Sequence, residues 1–162
     1  MTQRLDWDDL VIQNLPEQDC REWLSFWSGW VTGRVQPLYM SKFGDWFLRH
    51  PDGSTSELSV LEGTHIKLAD TPEEFVALMN TPEWQEDHLL SLVVFQLHKI
   101  GLVPPEGQCY GFAPPPVLSG RIEAAHAMIM PIGAWQSLCA QLLGSSPMPP
   151  QALEVNLSPD GG

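Results

Sequence analysis

Positive charge is scarce in this chain. Its 162 residues include 8 Lys and Arg against 20 Asp and Glu, a formal net charge of −12. That balance argues against nucleic acid and against an anionic membrane as partners, since both are held by clustered cations. Cysteine is scarce too. Cys20, Cys109 and Cys139 are an odd number at wide spacing, which is neither a disulfide framework nor a zinc pattern, so three reduced, buried thiols are expected. No apolar run is as long as a membrane span, and the first residues, MTQRLDWDDL, lack the basic-then-apolar order of a secretory signal. A cytoplasmic protein is the expectation. Nucleotide-binding glycine loops, the H-E-x-x-H metalloprotease motif and the G-x-S-x-G elbow are all missing. The histidines, His50, His65, His88, His98 and His126, never recur at a spacing of three or four. His88 and His98 share a helix face but lie nearly three turns apart, too far to share an ion. His50 precedes a turn and is expected to be solvated, and His126 is expected to be structural. No metal, no cofactor and no catalytic residue is expected.

What the chain does contain is enough apolar residue for one packed core. The segment 1–35 holds four of the seven tryptophans. Leu10, Val11 and Leu15 suggest a short helix stopped by Pro16. A second helix is predicted over 17–26, with Cys20, Trp23, Leu24 and Trp27 on one face. The tryptophans are expected in a core or an interface, because few cations accompany them. An apolar stretch over 38–48 leads into Pro51-Asp52-Gly53, a strong turn signal. Strands follow over 55–61 and 65–68, separated by Glu62-Gly63, and together these predict a three-stranded β-meander. Two helix starts are both spelled Thr-Pro-Glu. Thr71 and Thr81 are natural N-caps, and Pro72 and Pro82 suit the first helical position. The second helix is expected to run from Pro82 to about Ile100 and, being apolar nearly all round, to form the centre of the core. A strand over 125–130 and a helix with Ile132, Trp135, Leu138, Cys139 and Leu142 on one face complete the pattern. The tail, 145–162, is rich in proline and serine and is expected to be mobile. The fold class is therefore α+β: a single domain, with an antiparallel meander packed against helices.

Cys109 is the one nucleophile candidate, with His126 as its possible base, but no cationic neighbour lowers its pKa and a buried thiol is favoured. The acids are more informative. From Leu68 to His98 there is no Lys or Arg, yet Asp70, Glu73, Glu74, Glu83, Glu86 and Asp87 fall there. Glu73, Glu74 and Glu83 sit in first helical turns, where the dipole favours them. Glu86 and Asp87 lie further in and are not explained by capping. These six, with Tyr110 and Phe112 from a glycine- and proline-rich loop, are the candidate partner-binding residues. An acidic surface attracts a basic partner. Alternatively, the acidity serves only solubility in a regulatory or structural module, or a Cys or carboxylate site makes the chain a small enzyme. For the loop 107–121, three consecutive prolines favour rigid scaffold over a catalytic loop.

Two landmarks carry a family resemblance. One is KFGDWFLRHPDGSTSELSVLEGTHIKLADTPEEFVALM, with FGD, an aromatic strand, an Asp-Gly turn, a second strand, a glycine turn and a helix. The other is GQCYGFAPPPVLSG, followed by the hydrophobic helix around Trp135. Together they resemble the C-terminal domain family of type VI secretion DNase-immunity proteins, in which longer members place a GAD-like domain first. A weaker similarity is to SUKH-like immunity proteins. The resemblance spans about 38–143. It implies a non-enzymatic α+β domain, here over 36–144, that binds and neutralises a cognate toxin, a basic nuclease, and it implies no catalytic residues.

Overall fold

The computed structural model describes residues 5–31, 33–119, 121–143 and 153–155. In chain order the elements are α1 (Trp7–Leu10), β1 (Val11–Ile12), α2 (Glu17–Ser25), β2 (Gly33–Ser41), β3 (Trp46–Arg49), β4 (Thr55–Ser59), β5 (Thr64–Ala69), α3 (Pro72–Met79), α4 (Pro82–Leu89) and α5 (Ser91–Lys99). Then come β6 (Gln108–Phe112), α6 (Pro116–Ser119), a 3-10 turn (Ala124–His126), β7 (Ala127–Pro131), α7 (Ile132–Leu143) and β8 (Leu153–Val155). Strands β1 to β5 form an antiparallel sheet in sequence order, with β8 parallel to the start of β2. A separate hairpin joins β6 and β7. The α+β architecture expected from the sequence is the one observed.

Alternation along β3 decides which helices cover which face. Phe47 points to the face covered by Phe75 of α3 and Trp84 of α4, with ring centroids 6.4 and 5.5 Å away. Tyr39, its cross-strand partner, extends that layer to Trp7. Trp46 points the other way, toward α2 and α7. There Gln136 is fully buried and its Oε1 accepts from the indole N–H of both Trp27 and Trp46, each at 2.9 Å. The amide nitrogen of the same side chain donates to the Gly44 carbonyl at 2.8 Å. Both polar atoms of the buried side-chain amide are thus hydrogen-bonded, as burial requires.

The turn between β2 and β3 locks the two parts of the fold together. The Phe43 carbonyl accepts from the Trp135 indole at 2.9 Å, and the Lys42 carbonyl accepts from the Tyr110 backbone N–H at 2.8 Å. The Phe43 ring stacks on Phe112 and tilts against Tyr110. Gly44 has φ +93°, and a Cβ there would lie 2.9 Å from the Gln136 amide nitrogen. The left-handed backbone and the close approach both require glycine.

Several expectations are corrected. The apolar stretch over 38–48 is two strands, β2 and β3, because Gly44-Asp45 turns the chain back. Val11 continues not as helix but as β1, paired with Ser41. The helix expected over 82–100 breaks at Leu90, which is left-handed with φ 53° and ψ 50°. Leu92 is consequently 56% exposed, while Val94 and Leu97 are buried, so this segment is not the all-round core helix that its composition suggests. The loop 107–121 contains strand β6. All three cysteines are free and buried. The expected tail, 145–162, lies outside the described residues apart from β8.

Candidate functional site

The acidic candidates separate once folded. Thr71 Oγ1 accepts from the Glu74 N–H and Thr81 Oγ1 from the Trp84 N–H, so both Thr-Pro-Glu sequences start helices as expected. Glu73 and Glu74 are exposed in the first turn of α3, and Glu83 in that of α4. Asp70 is exposed and pairs with Lys67 at 2.9 Å. Glu86 proves to be a cap: its Oε1 accepts from the Leu92 N–H at 2.8 Å and the Ser91 hydroxyl at 3.1 Å. It satisfies the first turn of α5 across the Leu90 break, in place of an N-cap side chain that leucine cannot supply. Tyr110 and Phe112 are corrected from surface candidates to core, being 0% and 1% exposed. The Tyr110 hydroxyl donates to the Leu102 carbonyl at 2.5 Å. They brace the β2–β3 turn, which is the scaffold role the prolines favoured.

Asp87 is the candidate that reaches a cavity. A cleft of about 90 Å³ lies between the ends of β4 and β5 and the last turn of α4. Its carboxyl-bearing lining residues are Asp45, Glu57, Glu62 and Asp87, and Ile66, Leu90 and Ile122 border it. Glu57 is 6% exposed, and its Oε1 is 2.8 Å from His88 Nδ1. That bond, outweighing partial burial, raises the His88 pKa, with further help from Glu57, Asp87 and Glu62. Asp45 is also buried, and its Oδ1 accepts from the backbone N–H of Val60 (2.8 Å) and Leu61 (3.4 Å) and from the Ser59 hydroxyl (3.2 Å). Burial and then the neighbouring Glu57 push its pKa well up, against those hydrogen bonds. Asp45 therefore tends toward the neutral acid, and the rest of the lining carries the site's negative character. In the sequence Asp45 stood only as the last residue of the FGD landmark, with no role assigned to it. Glu57 carried a signal that went unused: a glutamate in the middle of a strand that turned out to be covered on both faces.

A second polar group lies beside β4 and β5. Ser56 Oγ is 2.6 Å from His50 Nε2 and 2.9 Å from His65 Nε2, with Asp52, Ser54 and Lys67 lining the same open cavity of about 460 Å³. His50, expected to be solvated, is half-buried, and burial lowers its pKa. Cys109 is driven far up by burial and Cys139 up to about 12, so neither thiolate is populated near neutral pH. His126 lies at the opposite end of the β6–β7 hairpin, its carbonyl bonded to Ala113, and approaches Glu123 at 3.5 Å. The structure does not assemble Cys109 with His126. No helix among the described residues is long and apolar enough to cross a membrane.

Residues 69–143 match the family described as T6SS immunity protein Tdi1, C-terminal. The match supports the type VI secretion immunity domain family, which the two landmarks had pointed to. It supports an immunity-type function. No curated protein matches the chain. The Tdi1-like segment starts at the last residue of β5 and ends with α7. It therefore supplies Asp87, His88 and Gln136, while Glu57 comes from β4, Asp45 from the β2–β3 turn and Glu62 from the β4–β5 turn, all before it. The acidic cleft is formed where the two parts meet.

Proposed function

We propose that this protein is an immunity protein that acts in the cytoplasm, binding and neutralising a cognate nuclease toxin without catalysis. The observation that carries the reading is the match of 69–143 to a type VI secretion immunity family. Electrostatics supports the finer part. A nuclease must present cations to hold phosphate, and an acidic face occupies such a surface as a substrate mimic. The net charge of −12 favours fast association with a basic partner. On this reading the contact face centres on Glu62, Asp87 and Glu83. Asp87 and Glu62 border the acidic cleft, and Glu83 lies one turn before Asp87 on the same side of α4. Asp70, Glu73 and Glu74 extend the field.

The test is charge reversal at Glu62, Glu83 and Asp87, all exposed, measured against the cognate toxin. Expected are an unchanged circular dichroism spectrum, slower association and a flatter dependence of the on-rate on salt. An unchanged on-rate and salt slope with full protection of the cell would show that the acidity is generic and that another face binds.

A further inference from the structure

The carboxylates of the acidic cleft sit at two depths. Glu62 and Asp87 are exposed at its mouth, while Asp45 and Glu57 are only 5% and 6% exposed. Each buried carboxylate has one oxygen engaged. Asp45 Oδ1 accepts from the Val60 and Leu61 amides and the Ser59 hydroxyl, and Glu57 Oε1 is bonded to His88. The second oxygens, Asp45 Oδ2 and Glu57 Oε2, have no hydrogen-bond partner among the described residues. They are not sealed in the interior either, unlike the unpartnered Arg49 Nε, Thr55 Oγ1 and Trp84 Nε1. Both residues line the cleft, so these two oxygens open into it. Buried polar atoms are normally paired, and a buried carboxylate oxygen asks for a donor. The described lining residues include no Lys or Arg to answer them.

Building on the toxin-binding reading, we propose that this cleft receives the guanidinium of one arginine of the basic partner, with Asp45 and Glu57 as its floor and Asp87 and Glu62 at its mouth. Geometry selects that group. Among the described residues no three His, Cys, Asp or Glu side chains are grouped so as to hold a metal ion. Acceptors spread in this way suit a wide planar cation with five donors better than an ammonium, whose three donors leave a single atom. Guanidinium is also the more weakly hydrated of the two, so it costs less to bring to a buried floor. The walls suit the rest of the side chain. Ile66 stands directly across from Glu57 in the β4–β5 register and is 46% exposed, and with Leu90 and Ile122 it gives a three-carbon stem apolar cover. The volume fits as well: at roughly 15 Å³ for each water-sized group, a cleft of about 90 Å³ takes the four heavy atoms of a guanidinium and the end of its stem. Burial and the neighbouring Glu57 keep Asp45 toward the neutral acid while the cleft is empty. A cation against Oδ2 offsets both causes and favours the carboxylate.

The experiment needs no toxin. The isotope-labelled full chain is titrated with N-acetyl-arginine methylamide and followed by amide NMR, with the matching citrulline and lysine compounds as controls. Saturable shifts in the millimolar range are expected at the Val60, Leu61 and His88 amides with the arginine compound. Citrulline, its uncharged isostere, should give none, and lysine should bind more weakly. Asp45→Asn and Glu57→Gln should each weaken binding at least about fivefold, because each removes a charge-assisted acceptor. Glu106→Gln, on an exposed loop away from the cleft, should leave it unchanged. No saturable shift, equal shifts with citrulline, lysine binding as tightly as arginine, or binding indifferent to both floor substitutions would each overturn the proposal. Should Asp45→Asn fail to fold, Glu57→Gln and the location of the shifts in the parent chain decide. The two readings fail separately. A cleft that ignores the arginine compound leaves the acidic contact face standing, whereas charge reversal at the mouth without effect on the toxin removes that face but not the binding of the probe.

Discussion

Replacing Gln136 with leucine tests the central claim about how this fold is held together. The side chains are close in volume, so little cavity forms and the effect is almost purely polar. The substitution leaves the indole N–H groups of Trp27 and Trp46 and the Gly44 carbonyl without partners in a site with no exposed surface. An orphaned buried polar group costs about 1–3 kcal/mol. Three of them, with partial relaxation, put the loss at about 3–6 kcal/mol. For a domain whose total stability is of order 5–15 kcal/mol, that is a large fraction. At about 2–4 °C per kcal/mol for a chain of this size, the midpoint of thermal unfolding should fall by roughly 6–24 °C. Urea unfolding followed by tryptophan fluorescence is the direct assay, since two of the orphaned groups are the reporters. A loss below about 1 kcal/mol, with the native emission spectrum retained, would refute the hub. The bridging amide would then be incidental to how α7 and the Trp27 segment are held against the sheet.

Leu97→Ala is expected to cost about 2–5 kcal/mol as a cavity-forming change in the core, whereas Leu92→Ala, earlier in the same helix and on its exposed side, should stay within about 0.5 kcal/mol; equilibrium denaturation compares them. Glu86→Ala removes the cap of α5 and should cost about 1 kcal/mol, with faster amide exchange at Leu92 as the local readout. Burial raises the Asp45 pKa, so the folded chain binds more protons than the unfolded chain between the ordinary carboxyl value of 3.8 and the raised value. Stability therefore declines as pH rises through that window. Asp45→Asn should remove this part of the decline and stabilise the protein at neutral pH. His88 is raised as well, so its contribution is complete below its ordinary value of 6.5 and is lost as pH climbs through the folded value. Denaturation midpoints across pH, with and without each substitution, check both signs.

Elements governed by local chemistry could be read from the sequence. Thr71-Pro72 and Thr81-Pro82 start helices because a threonine oxygen and a preset proline φ act within one turn of chain. Asp52-Gly53 turns the chain for an equally local reason. The helix of Trp135 and the burial of the cysteines followed from periodicity and composition. The match over 69–143 agrees with landmarks recognised on the residues alone. Tertiary structure decided the rest. Composition makes 82–100 one apolar helix, but the break at Leu90 is held by Glu86 reaching across it, a side-chain bond that residue patterns do not encode. Tyr110 and Phe112 resembled presented aromatics until Phe43, some seventy residues earlier, proved to stack on them. Asp87 separated from Glu86 only because α4 turns one toward the strands and the other toward α5. The acidic cleft needed all of this. Asp45, Glu57 and Glu62 approach Asp87 and His88 only when β4 and β5 lie against α4. A carboxylate's environment, and hence its pKa and its partner, depends on neighbours distant in sequence, which only the packed fold brings within a few ångströms.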